Sequence, residues 1–130
     1  MKLELSADND KELTIVGHSA CGGYALVKSE DNQLVFKKRC GPEFIFNSNF
    51  YLGVKQPVSV VVTHTLSKTA FYIDGAMFNF INQGATFVCE KSLDIGSFSD
   101  QKDQIWQGSI QYVLIYDRIL TQSEILKLYK

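Results

Sequence analysis

Paired carboxylates, histidines and cysteines are the side chains of this sequence that could carry a reaction. Acid–base hydrolysis of a glycosidic bond needs two carboxyl groups about 5–5.5 Å apart, or about 6.5–9.5 Å for inversion. The one alternating acidic run is Asp8-Asn-Asp10-Lys-Glu12. It lies in a polar N-terminal segment with no apolar alternation, so it reads as solvated surface. Glu90 and Asp94 lie four residues apart. On a strand such a pair shares a face at about 13 Å, too far for either mechanism. His18 and His64 are the only histidines. His64 ends an apolar run in line with Val58, Val60 and Val62, and reads as a satisfied core or rim histidine. The three cysteines belong to no thiol-enzyme motif. Neither they nor the histidines show the spacing of a structural zinc site. The expectation is a chain without catalytic residues.

Binding chemistry has more material. A sugar packs its C–H face on an aromatic ring while planar amides bond its hydroxyls. Trp106, the single tryptophan, stands beside the polar stretch 96–104 and is a candidate platform. Asn79 and Gln83 are the candidate amides, on or just after a strand that also carries Phe78 and Phe80. Solvated strand positions are the competing reading for both. Cys21 and Cys40 flank a hairpin at nearly matched distances from its turn. With Leu26 opposite Phe36 and Lys28 opposite Leu34, Cys21 falls opposite Gly41, one residue from Cys40. A disulfide and two reduced thiols both fit this register. Cys89, at the end of an expected strand, reads as a small core residue.

These residues need strands to hold them. Strands are expected over residues 13–18, 24–28, 34–38, 58–64, 69–73 and 76–81, with shorter ones at 86–89 and 92–95. Phe44, Phe46 and Phe50 mark a further alternating strand. Lys37, Lys38 and Arg39 mark a solvated strand end. Asp74-Gly75 is a strong two-residue hairpin signal. Residues 3–5 read as an edge strand. Residues 108–116 read as one long strand whose second half, around Val113 and Ile115, is apolar on both faces. Thr121-Gln-Ser-Glu124 is a capping box, with Leu120 and Ile125 placed as its hydrophobic staple. It opens a short helix over residues 122–129. Many short strands, regular turn signals and one terminal helix give an all-β fold class: an antiparallel two-sheet β-sandwich with a short C-terminal helix.

Two blocks carry a resemblance. One is Trp106-x-Gly108-x-Ile110-x-x-Val113-x-Ile115-Tyr116-Asp117-Arg118-x-Leu120-Thr121-x-x-Glu124-Ile125. The other joins Val58-Ser-Val-Val-Val-Thr63 to Thr69-Ala-Phe-Tyr-Ile-Asp-Gly-Ala76, with a weaker match at Ser92-Leu-Asp-Ile-Gly96. Together they resemble the concanavalin A-like lectin/glucanase superfamily in its laminin-G-like branch. The resemblance implies a jelly roll that hosts lectins, hydrolases or adhesion modules. It implies that the aromatic at Trp106 packs beneath the terminal helix, against the platform reading. It implies backbone geometry as the role of Asp74. It also implies calcium on the rim, for which Asp31, Asp100 and Asp103 are the metal candidates, with Asp8 and Asp10 beside them. Turn chemistry is the competing reading for each acid. The family's usual opening stretch is short or missing here, which implies an open sheet edge suited to dimers or a partner chain.

The 130 residues suffice for one domain with its own core. A net charge of −1 offers no footprint for nucleic acid or an anionic membrane. No apolar run reaches the ~20 residues of a membrane span. Residues 1–6 lack the apolar region of a signal peptide, so the chain reads as intracellular or as starting after a targeting sequence. The resemblance favours an extracellular or cell-surface setting. The expected function is a non-catalytic recognition module for a glycan or a surface protein. Assembly into a homo-oligomer through a sheet edge is the alternative, and glycan hydrolysis ranks third.

Overall fold

The computed structural model describes residues 1–129 except 9, 19, 89–92 and 98–104. The strands are β1 (Lys2–Leu5), β2 (Leu13–His18), β3 (Tyr24–Lys28), β4 (Gln33–Lys38), β5 (Ile45–Tyr51), β6 (Val58–His64), β7 (Thr69–Ile73), β8 (Ala76–Ile81), β9 (Leu93–Ile95) and β10 (Gly108–Tyr112). One helix, α1 (Gln122–Tyr129), closes the chain. The strands form two five-stranded sheets, ordered β10-β1-β6-β7-β8 and β5-β4-β3-β2-β9, with antiparallel neighbours throughout. The core between them gathers Leu3, Leu5, Ile15, Leu26, Phe36, Phe46, Val60 and Phe71. This is the two-sheet sandwich that the alternating sequence demands, since each sheet must bury one apolar face. No helix among the described residues is long and apolar enough to cross a membrane.

The first hairpin holds the expected register, with Leu26 opposite Phe36 and Lys28 opposite Leu34. Cys21 and Cys40 form a disulfide across its open end, Cα to Cα 5.1 Å. Asp74 and Gly75 both take positive φ, 49° and 86°, as a type I′ hairpin turn requires. Asp74 also accepts from the Ser59 amide through Oδ1 at 2.9 Å, tying the turn to β6. The capping box forms: Glu124 N–H donates to Thr121 Oγ1 at 3.2 Å, and Thr121 N–H donates to Glu124 Oε1 at 3.0 Å. Leu120 and Ile125 are both buried.

Four expectations are corrected. β1 is not an edge strand; it lies between β10 and β6. Leu3 and Leu5, both buried, fill the inter-sheet core from there. The long terminal strand stops at Tyr112, and residues 113–116 are not strand. β1 pairs with β10 only as far as Tyr112, so no ladder supports the rest. Leu114 and Ile115 are 51% and 60% exposed rather than buried. Residues 86–88 form no strand, although Val88 N–H donates to the Gly22 carbonyl; Cys89 lies outside the described residues. Arg39 is not at a solvated end but buried, its Nε donating to the His18 carbonyl and Nη2 to Thr14 Oγ1 at 3.3 Å. A backbone carbonyl and a hydroxyl replace water around the guanidinium, which is how a buried cation is tolerated.

Candidate functional site

Sheet pairing along β7 and β8 decides what the protein shows to solvent. From the Asp74-Gly75 turn, Ile73 pairs with Ala76 and Tyr72 with Met77. A β-bulge then intervenes, so Phe71 pairs with Asn79 and Ala70 with Phe80. One extra residue reverses the facing of everything beyond it. Asn79 therefore stands opposite Phe71, which is fully buried. Its Nδ2 donates to the Ser48 carbonyl of β5 at 3.1 Å, and its Oδ1 accepts the Phe80 amide at 2.9 Å. Phe78, the bulge residue, and Phe80 are left 48% and 45% exposed. Phe78 meets Phe50 edge to face, centroids 5.2 Å apart. Lys68 Nζ lies 4.7 Å from the Phe80 ring centroid, a cation–π distance. Asn82 and Gln83 follow with exposed side chains. β8 is the outer strand of its sheet, so these exposed aromatic and amide side chains stand along an open edge.

The other candidates go elsewhere. Trp106 is buried in the inter-sheet core at 8% exposure, and offers no open ring face. Its Nε1 has no hydrogen-bond partner among the described residues. Gln83 remains solvent-facing, while its carbonyl accepts from Thr69 Oγ1 at 2.9 Å. Trp106, Asn79 and Gln83 therefore do not converge on one surface. The signal that was legible for β8 is the Phe-Asn-Phe alternation; the bulge that decides which parity faces out leaves no mark in it.

The rim acids have structural partners. Asp31 accepts from Ser29 Oγ and from Gln33 Nε2, and these bonds hold its carboxyl below the ordinary range. Asp8, Asp10, Glu30 and Asn32 line a shallow cleft. Asn32 Nδ2 donates to Asp8 Oδ1 at 3.0 Å. Beside them Lys28 is fully buried, with Nζ donating to the carbonyls of Lys11 and Ser29. Burial lowers the Lys28 pKa, and Asp10, Asp31, Asp8 and Glu12 counter it. These carboxylates balance a buried cation. Among the described residues no three Asp, Glu, His or Cys side chains are grouped to hold a metal, and Asn32 Oδ1 is buried without a hydrogen-bond partner. Asp100 and Asp103 lie outside the described residues. Glu12, the third acid of the N-terminal run, pairs with Lys37 at 2.8 Å.

His64 is a satisfied rim histidine. Its Nε2 accepts the Ala85 amide at 3.1 Å, and its ring touches Phe36, Phe44 and Phe87. Burial lowers its pKa, so the neutral ring is the folded form.

Two five-stranded antiparallel sheets with a capped terminal helix define a jelly-roll β-sandwich. The laminin G family model of the concanavalin A-like lectin/glucanases superfamily matches residues 3–126. The chain belongs to that superfamily. No curated protein matches it. Among solved structures, a candidate carbohydrate-binding protein of Bacteroides ovatus is similar over 97% of this chain and 38% of its own, at TM-score 0.80 and 15% identity. The heptameric SAP-like pentraxin of Limulus polyphemus is similar over 99% of this chain and 68% of its own, at TM-score 0.70 and 12% identity. The Trypanosoma rangeli sialidase is similar over 98% of this chain and 21% of its own, at TM-score 0.68 and 18% identity. The chain thus spans well under half of the first and last of these proteins. At such identities the likeness is one of fold.

Proposed function

We propose that this domain is a non-catalytic recognition module that binds glycan along the β8 edge. The observation that carries this reading is the bulge that turns Asn79 inward and leaves Phe78 and Phe80 about half exposed. A strand that hides its amide and shows its rings presents a surface of the kind used for contact. Rings beside the Asn82 and Gln83 amides and the Lys68 ammonium match a pyranose, which has an apolar face and a hydroxyl rim. The fold likeness to a candidate carbohydrate-binding protein adds support. The Cys21–Cys40 disulfide suits an extracellular or cell-surface setting, where such bonds persist. The partners already held by Glu12 and Asp8 weigh against hydrolysis.

A broad glycan array, run with calcium and again with chelator, tests the reading. Saturable binding supports it. Loss of binding in chelator would bring in calcium, and with it the rim acids. Silence on both arrays would contradict glycan recognition. A second reading, assembly through a sheet edge, is favoured by the exposure of Leu114 and Ile115.

A further inference from the structure

β8 and β5 are outer strands of the two sheets, joined by the Asn79–Ser48 bond and the Phe78–Phe50 contact. They read Ala-Met-Phe-Asn-Phe-Ile and Ile-Phe-Asn-Ser-Asn-Phe-Tyr, with no charge and no proline. Apolar, uncharged edges of this kind are templates for a further strand. What guards them here is a set of side chains turned back onto the backbone.

The register shows which amides are at stake. Ile73 and Ala76 flank the two-residue turn, so they form a hydrogen-bonded pair. Such pairs alternate along β7, whose own chain carries no extra residue. Tyr72–Met77 and Ala70–Phe80 are then the non-hydrogen-bonded pairs. The backbone groups of Met77 and Phe80 therefore point away from β7, to the open side. There Asn79 Oδ1 accepts the Phe80 N–H at 2.9 Å. The same side chain gives Nδ2 to the Ser48 carbonyl at 3.1 Å, which occupies an acceptor of β5. On β5, Asn47 Oδ1 accepts the Asn49 amide at 2.9 Å, and Ser48 Oγ accepts the Phe50 amide at 3.0 Å. Asn49 takes φ 63°, so the chain leaves the extended conformation at that point. A strand arriving here would first have to displace these side chains.

We propose that Asn79 is a positioning residue that closes the β8 edge to an added strand. It thereby reserves Phe78 and Phe80 for a ligand read by side chains alone. A saccharide is such a ligand, since it offers apolar faces and hydroxyls and needs no ladder. An extended polypeptide needs one. Valine at position 79 would keep β propensity and lack both bonds, freeing the Phe80 amide and the Ser48 carbonyl together. The proposal rests on the glycan reading for what the rings hold. Its test uses no glycan, so either can fail alone.

Parent and Asn79→Val are each mixed with the extended peptide Thr-Val-Thr-Val-Thr-Val, and amide hydrogen exchange is read residue by residue along β8. In the parent, the Phe80 amide should exchange more slowly than the Met77 amide, which faces the same side. Excess peptide should leave residues 77–80 unchanged. In Asn79→Val the Phe80 amide should exchange roughly fivefold faster, the worth of one ordinary hydrogen bond, and peptide should slow it again. Sedimentation of that variant alone should show association that protects residues 77–80. A parent Phe80 amide as fast as that of Met77 overturns the proposal, and this measurement needs no variant. Peptide protection of residues 77–80 in the parent also overturns it, as does a folded variant that neither captures peptide nor associates through β8.

Discussion

Phe71 and Asn79 stand opposite each other on β7 and β8, a fully buried aromatic paired with a polar amide. Without the bulge the partner of Phe71 would be Phe78. The bulge moves one residue and thereby places an amide against the core edge and two rings toward water. The Asn79–Ser48 bond makes this stable by tying β8 to β5 across the sandwich. Asn79→Ala removes that bond and leaves the Ser48 carbonyl to find water. The expected loss is about 1 kcal/mol of unfolding free energy in urea. Phe78→Ala gives up the edge-to-face contact with Phe50 and should cost about 0.5–1.5 kcal/mol. Unchanged stability in Asn79→Ala would contradict the tie to Ser48.

The disulfide closes a loop between residues separated by 19 positions. Closing a loop of that length stabilises by about 3 kcal/mol through the unfolded chain. Reduction with dithiothreitol, or Cys21→Ser with Cys40→Ser, should lower the urea midpoint accordingly. A midpoint unmoved by reduction would show that the bridge contributes nothing to the folded state.

His64 predicts a direction of pH dependence. Its folded pKa lies below the ordinary 6.5 because burial penalises the charged ring. Below about pH 6.5 the unfolded chain therefore binds a proton that the folded chain resists. The stability contribution is full above that pH and falls as pH drops toward the lowered folded value. His64→Gln should flatten the stability profile between pH 7 and 5 relative to the parent. Parallel profiles for the two proteins would contradict a buried neutral ring.

At the other end of the chain, Arg118 and the Thr121 amide draw the pKa of the partly exposed Glu124 down to about 2. The sign is opposite in cause and similar in outcome. The ionised cap is fully effective above about pH 4.5 and is lost as pH falls through about 2. Thr121→Ala should cost about 1 kcal/mol at neutral pH, read from thermal or urea unfolding. Helix signals that survive unchanged in that variant at pH 2 would show that the cap is dispensable.

Local chemistry was legible in the sequence. The Asp74-Gly75 turn, the capping box and the strands β2, β3, β6, β7 and β8 follow from residue type and period, and α1 has the bounds the box gives it. What depends on a neighbouring strand was not. β1 is four residues long and gains its place from β6 and β10 on either side. Residues 113–116 have the composition of a strand but no described strand beside them, so composition alone overstates the ladder. Arg39 looks like a solvated cation until the His18 carbonyl and Thr14 hydroxyl, both distant in sequence, are brought to it. For the candidate site, Phe-Asn-Phe shows two alternating faces but not which one is out. One bulge residue decides that, and register is a property of the pair of strands.

The most direct test of the central claim is a glycan array probed side by side with the parent chain and the Phe78→Ala/Phe80→Ala double variant. The account predicts glycan binding by the parent, and loss of that binding in a variant that still unfolds cooperatively. Glycan binding that persists at full strength in the double variant would contradict it, and would place the binding surface away from the β8 edge.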